Sequence, residues 1–447
     1  MASVLPQRGL MAYLPRGWHR VAGAISLLWL ATALGAGMTF FTQALLAREL
    51  GPAEYGLFTS SLAVVTMVAP LAGFGLAQFW LKVYGAEGWT ADRWLRPSLR
   101  FLAVTTALTM LLIAGWAASG APADAAATLI ILLPVVLGVL AASLIGTKLR
   151  LEERHGALAA WQLATPGSRL LVAIALLLVP TLAGRFVASG YAVISLGVAA
   201  LAAPQMRAML RGEMVLHGHG PRPPLHAGIG QRPADPPRAW AVWSQAWAFG
   251  LSGVLYTVFF QISTVLVKYF DGNVQAGIFG IALAVMTAIY LIPATVFQKY
   301  LLSKQHRWAV HDPKKFWLVY RRGNGVMLLA GIALGALVAL LAPWAVPLAF
   351  GEKYRAVVPV LLVLAWCVPI RFMSTSVGSA LLNERHMRYR VFAMALCALV
   401  VIVLNVLLIP SRHEIGAAMA TVIGEGVLLL ALYAGVRLFH PPRERAS

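Results

Sequence analysis

The chain is 447 residues long, 60% hydrophobic and only 12% charged, with a mean hydropathy of +0.77 and a formal charge of +20. Soluble domains carry about 25% charged residues, so this composition excludes a water-coated globular protein and points to helices that face lipid. The basic balance would fit a nucleic acid or a membrane surface, and the placement of the charges decides for the membrane.

Residues 1–21 carry Arg8, Arg16 and Arg20, and an apolar run follows over 21–47. That run is far longer than the apolar core of a signal peptide, about 7–15 residues, and reads as a retained first span. A spanning helix needs about 20 mostly apolar residues. On that basis spans are predicted near 22–47, 56–81, 99–119, 125–146, 158–180 and 184–206, then near 241–268, 275–299, 324–350, 356–382, 391–410 and 413–436. Each must be helical, because unpaired backbone groups are too costly in lipid. The fold class is therefore an all-α polytopic membrane protein of about twelve transmembrane helices.

Placing the N-terminus inside leaves Arg48, Arg185, Lys268, Lys353, Arg355 and Arg412 outside and Arg169 and Arg371 within spans, so that 28 of the 36 Lys and Arg residues fall on the inner side. This is the positive-inside pattern. The net charge is a cytoplasmic collar, no nucleic-acid partner is implied, and both termini are expected in the cytoplasm. Tryptophans near predicted span ends, at Trp80, Trp116, Trp161 and Trp240, fit an interfacial aromatic belt.

Residues 207–239 are rich in Pro, Gly, Arg and His without periodicity and read as a flexible cytoplasmic linker. They divide the chain into an N-terminal six-helix lobe (1–206) and a C-terminal six-helix lobe (240–438), followed by a cytoplasmic tail (439–447). His217, His219 and His226 in the linker lack carboxylate or cysteine support, so no metal site is expected. Cys367 and Cys397 lie in apolar runs and read as small core residues.

The halves resemble each other. GLFTSSLAVVT (56–66) and GIFGIALAVMT (277–287) share Gly, Phe, Leu, Ala, Val and Thr without a gap. Six helices per half makes the repeats parallel, the organisation of transporters that bind ligand between their halves. Candidate lining residues come from the first helix of each half. Thr32, Thr39 and Gln43 share one helical face, as do Gln245, Ser252, Tyr256 and Ser263. Hydrogen bonding between helices is the competing role for the same residues.

Arg169, Arg371 and Glu425 are ionisable residues within spans, expensive there unless they face a partner or water. The arginines suit an anionic headgroup, because a guanidinium matches phosphate oxygens, and Glu425 is a candidate ion-coupling site. A structural Arg–Glu pair is the alternative. No Walker loop, HExxH or nucleophile elbow is present, and the short outer loops argue against glycan-processing chemistry. The chain is expected to be no enzyme and to need no cofactor.

ALLARELGPAEYGLF (44–58), with Arg48, Gly51, Tyr55 and Gly56, resembles the first-loop signature of the polysaccharide biosynthesis (O-antigen) flippases of the multidrug/oligosaccharidyl-lipid/polysaccharide exporter superfamily. LNVLLIPSRHEIGAAMATVIGEG (404–426), with Asn405, Pro410 and Gly416, is similar to the family's late signature. The resemblance spans essentially the whole chain. It implies a V-shaped bundle of two lobes around a central cavity, working by alternating access in a bacterial inner membrane. The implied cargo is a polyprenyl-pyrophosphate-linked oligosaccharide, moved to the periplasmic face for O-antigen, capsule or exopolysaccharide assembly, beside membrane lipids and glycan polymerase or other assembly proteins. Two alternatives stand beside it: an ion-coupled exporter of small cationic compounds, and a non-transporting scaffold for glycan-assembly enzymes.

Overall fold

The structure, a computed structural model, describes residues 18–119, 122–179, 184–216, 222, 237–294, 313–379, 381 and 387–439. These residues form helices and no strand. In chain order the helices are α1 (Trp18–Val68), α2 (Leu76–Glu87), α3 (Leu95–Ala118), α4 (Ala123–Leu132), α5 (Pro134–Leu151), α6 (His155–Leu178) and α7 (Gly184–Arg211) in the first half. The second half holds α8 (Ala239–Asp271), α9 (Asn273–Ala294), α10 (Pro313–Phe350), α11 (Val357–Leu364), α12 (Cys367–Ser379) and α13 (Met387–Phe439).

Among the described residues, nine helical runs are long and apolar enough to cross a membrane. The first, Ser26–Ala118, contains three of the predicted spans, and the last, Met387–Phe439, contains two. The described runs thus accommodate twelve traversals, matching the predicted all-α, two-lobe architecture. The breaks within long runs have local causes. Gly51 takes a left-handed φ of 76° inside α1, and Pro52 follows it as the first residue of the resumed helix. In α13 the break falls at His413, φ 53°. Pro134 opens α5 directly after α4, so the two together make one kinked traversal (Ala123–Leu151).

The two copies of the repeated sequence meet face to face. Gly56 and Gly277 are equivalent positions, and their backbones approach so closely that a Cβ on Gly56 would overlap the Asn273 carbonyl while one on Gly277 would overlap the carbonyl of Pro52. Glycine is what lets membrane helices come this close. The equivalent phenylalanines Phe58 and Phe279 are both buried beside this contact. The segment around Gly416 is also closely packed: a Cβ on Gly416 would overlap the Leu408 carbonyl across the break in α13. Asn405 donates to Ser263 Oγ at 3.0 Å and to the Val401 carbonyl at 2.8 Å, tying α13 to α8.

At the opposite end of the first lobe, α2 packs Phe79, Trp80, Val83 and Tyr84 into a cluster that also buries Met209, Met214 and Leu216 at and after the end of α7, and Val242 and Ala246 of α8. Trp80 is completely buried here, so it is a core residue and not a member of an interfacial belt; Trp240 is largely exposed. Residues 207–211 of the predicted linker continue α7. Arg222 reaches Asp92 at 2.6 Å, and Asp92 also accepts from the Tyr84 hydroxyl at 2.9 Å. His217, His219 and His226 lie outside the described residues, as does the tail from residue 440. Cys367 and Cys397 are buried free thiols, as the apolar context predicts.

Candidate functional site

A cavity of about 340 Å³ lies between the lobes, walled by α1, α6, α8 and α9. The sequence repeat lines it from both sides: Leu62, Ala63 and Thr66 on α1 face their equivalents Leu283, Ala284 and Thr287 on α9. Thr66 and Thr287 are held alike, each hydroxyl donating to the carbonyl four residues back, at 2.8 Å to Leu62 and 2.7 Å to Leu283. The cavity therefore lies between equivalent residues of the two copies of the repeat.

Of the residues predicted to line a site, Thr39, Gln43 and Arg169 do so. Gln43 accepts from the Tyr55 hydroxyl at 2.8 Å, which turns the signature tyrosine into a positioner of a cavity amide. Thr32 lies about two turns before Thr39 and bonds back to the Leu28 carbonyl at 2.7 Å. The four predicted residues of α8 are placed elsewhere. Gln245 is exposed near the start of the helix. Ser252 contacts Met394 Sδ at 3.6 Å, Tyr256 accepts from Arg371 at 2.7 Å, and Ser263 is buried against Asn405. The cavity instead meets Phe260, Gln261 and Thr264. One residue along a helix is a rotation of about 100°, so the polar stripe chosen from spacing is one step away from the stripe that faces the cavity.

The intramembrane charges divide between the lobes. Arg371 and Glu425 form an ion pair at 3.0 Å, with side chains 11% and 1% exposed, and Arg371 also lies over the rings of Tyr256 (5.4 Å) and Tyr290 (5.3 Å). Neither residue is among those that line the inter-lobe cavity, and both tyrosines pack against Phe260, which is. Arg169 has no carboxylate partner among the described residues, and its Nε is buried without a hydrogen-bond partner. Its guanidinium rests on the face of Tyr191 at 4.4 Å, and Tyr191 is held edge-on by Phe58 at 5.0 Å. Among the described residues no Asp or Glu lines the cavity. A cation–π contact offsets part of the desolvation of a guanidinium.

Contacts join the lobes on both sides of the cavity. On the side of the first loop, Lys353 donates to the Arg48 carbonyl, Tyr354 to the Ala47 carbonyl at 2.9 Å, Lys268 to Ser61 Oγ at 3.4 Å, and Trp116 pairs with Tyr269. On the other side Phe74 stacks on Trp243 at 4.8 Å, and Thr257 donates to the Met67 carbonyl at 3.0 Å. A further apolar hollow, lined by Trp29, Ala33, Gly37, Phe40 and Leu291, adjoins the cavity between α1 and α9 and shares Ala36, Phe40, Ala288 and Leu291 with it. Among the described residues no cluster of His, Cys, Asp or Glu side chains is placed to hold a metal ion.

The fold is that of the MOP-superfamily transporters. The chain is similar to MurJ, a lipid II flippase, in an inward closed conformation, with a TM-score of 0.70 and 13% identity over 92% of this chain and 87% of that one. It is also similar to a MATE-family multidrug resistance transporter in an inward-facing conformation (TM-score 0.67, 14% identity, 92% and 95% of the two chains). A third is the MATE multidrug transporter DinF-BH (TM-score 0.60, 13% identity, 99% of both chains). No family model and no curated protein matches the sequence.

Proposed function

We propose that this chain is a flippase that carries a polyprenyl-pyrophosphate-linked oligosaccharide across the membrane by alternating access, from the cytoplasmic to the periplasmic face of a bacterial inner membrane. The observation that carries this reading is Arg169: a guanidinium without an acidic partner in a cavity whose described lining contains no carboxylate. Such a site attracts a phosphate group, which a guanidinium binds through paired hydrogen bonds, and repels a cationic compound. The polar neighbours Thr39, Gln43, Gln261 and Thr287 supply donors and acceptors suited to sugar hydroxyls. The apolar hollow between α1 and α9 supplies a lipid-compatible side exit for a polyprenyl chain. The likeness to a lipid II flippase supports the same class of cargo. O-antigen, capsule or exopolysaccharide assembly is the corresponding role, with a glycan polymerase as the natural neighbour.

The deciding experiment is flipping of a fluorescent polyprenyl-pyrophosphate oligosaccharide in proteoliposomes. Wild-type protein moves the lipid, and Arg169→Ala folds but moves it at least about tenfold more slowly, the scale of one lost charge-assisted hydrogen bond. Absence of flipping by wild type, together with export of a cationic dye, overturns this reading in favour of drug export. A flipping-dead Arg169→Ala that still supports glycan assembly in cells would make the chain a scaffold.

A further inference from the structure

A second cavity lies apart from the one between the lobes. It has a volume of about 540 Å³ and lies wholly within the first lobe, between α2, α5, α6 and α7. Among the described residues, none of the second lobe contributes to its wall. Arg150, in the last turn of α5, stands at one end among the inner-side basic residues, and Arg169 stands at the other. From His155 at the start of α6 to Arg169 the helix rises about 21 Å at 1.5 Å per residue, so the cavity reaches from the inner surface deep into the bilayer. Arg169 consequently sits in the partition between two cavities and lines both.

Two features mark this cavity as more than a packing gap. Its described wall holds two guanidiniums and no carboxylate, although Glu152 and Lys148 nearby are paired with each other at 2.7 Å. An uncompensated cation at this depth is costly without an anion or water. The second feature is Gln162, whose Oε1 is buried without a partner on the same wall as Arg169. Gln162 shares this wall with the hydroxyl-bearing Ser143 and Thr165, and its amide can donate through nitrogen.

We propose that the first-lobe cavity is an oxyanion site that binds a phosphate group entering from the Arg150 end, with Arg169, Gln162 and Arg150 as its donors. Two sources share that chemistry: free inorganic phosphate, and the phosphomonoester headgroup of an anionic phospholipid. The site shares Arg169 with the inter-lobe cavity, has Gln162 and Arg150 to itself, and does not depend on the cargo assigned above. Because Arg169 serves both walls, occupancy here competes for the cation that faces the inter-lobe cavity.

Native mass spectrometry of the full chain tests this, with inorganic phosphate and phosphatidic acid as separate probes. The expected result is one retained adduct, whose mass tells phosphate from phospholipid. Its retention falls about tenfold in Arg150→Gln, the scale of one charge-assisted hydrogen bond, and falls in Gln162→Leu. It is lost in Ser143→Trp, which fills the cavity, and is unchanged in Thr287→Leu, which alters only the inter-lobe cavity. If Ser143→Trp fails to fold, the nearly isosteric Gln162→Leu combined with Arg150→Gln decides. The proposal is overturned if wild type retains neither probe, if a folded filling or double variant retains the adduct like wild type, or if Thr287→Leu alone abolishes it. Failure of the flipping assay with a retained, Ser143→Trp-sensitive adduct would remove the cargo reading and leave this site standing.

Discussion

Each lobe places one arginine deep in the membrane, and the two are treated in opposite ways. In the second lobe Arg371 is neutralised by Glu425 at 3.0 Å and held by the Tyr256 hydroxyl at 2.7 Å. In the first lobe Arg169 has the face of Tyr191 and no acid among the described residues. A fixed acid satisfies a cation permanently and leaves nothing for a ligand, whereas an aromatic face satisfies it partly. The comparison teaches that an intramembrane charge is informative about function through what is missing around it. Arg371 and Glu425 are paired with each other, and Arg169 is the arginine on which the proposed cargo binding rests.

The sharpest way to break the comparison is to strip the acid from the satisfied arginine. Glu425→Gln leaves Arg371 buried with a neutral partner and is expected to lower stability by about 3–5 kcal/mol, the usual result of removing one member of a buried pair. A thermal melt in detergent measures it, and a Tm equal to wild type would show that the pair contributes little. The double variant Arg371→Leu with Glu425→Leu removes both charges together, and it should recover most of that loss, since apolar replacement of a whole buried pair is often neutral. If the double variant is less stable than Glu425→Gln alone, the pair has partners beyond those described. Arg169→Met is the converse experiment. Having no acid to strand, it should leave Tm unchanged or raised while abolishing flipping; a fall of Tm comparable to that of Glu425→Gln would make Arg169 structural too. The smallest effect belongs to the contact between the lobes. Tyr354→Phe loses one hydrogen bond to the Ala47 carbonyl, about 1 kcal/mol. It should raise labelling of a Thr66→Cys probe by a membrane-impermeant thiol reagent added from the side of the first loop. Unchanged labelling would mean that this bond does not help to close the cavity.

The sequence made the two lobes legible because lipid imposes a simple rule on length and apolarity, and because Gly51 with Pro52 marks a turn by chemistry alone. The repeat was legible too, and equivalent residues of its two copies line the cavity. Thr39, Gln43 and Arg169 could be reached from spacing and from the cost of an intramembrane charge. The cavity-facing side of α8 could not. Ser263 and Thr264 are neighbours of similar polarity, and only the position of Asn405 across the helix interface decides which one turns inward. Whether Arg371 meets Glu425 or a ligand was likewise undecidable from sequence, since 54 residues separate them and contact is a property of the packed lobe. The first-lobe cavity left no motif at all. Its wall is assembled from scattered residues on four helices.

The glycine contact at Gly56 and Gly277 has a mechanical consequence. At that point no interdigitated side chain stands between the two backbones to oppose a small roll. From Pro52 the resumed part of α1 runs about 25 Å to Val68, at 1.5 Å per residue. Val68 stands about 18 Å beyond Gly56, so a tilt of about 10° at the glycine contact would swing that far end by about 3 Å, roughly the thickness of one aromatic ring. The stacked rings of Phe74 and Trp243 lie just past that far end. A small roll at one pair of glycines therefore has the leverage to unstack the aromatic lock at the opposite surface.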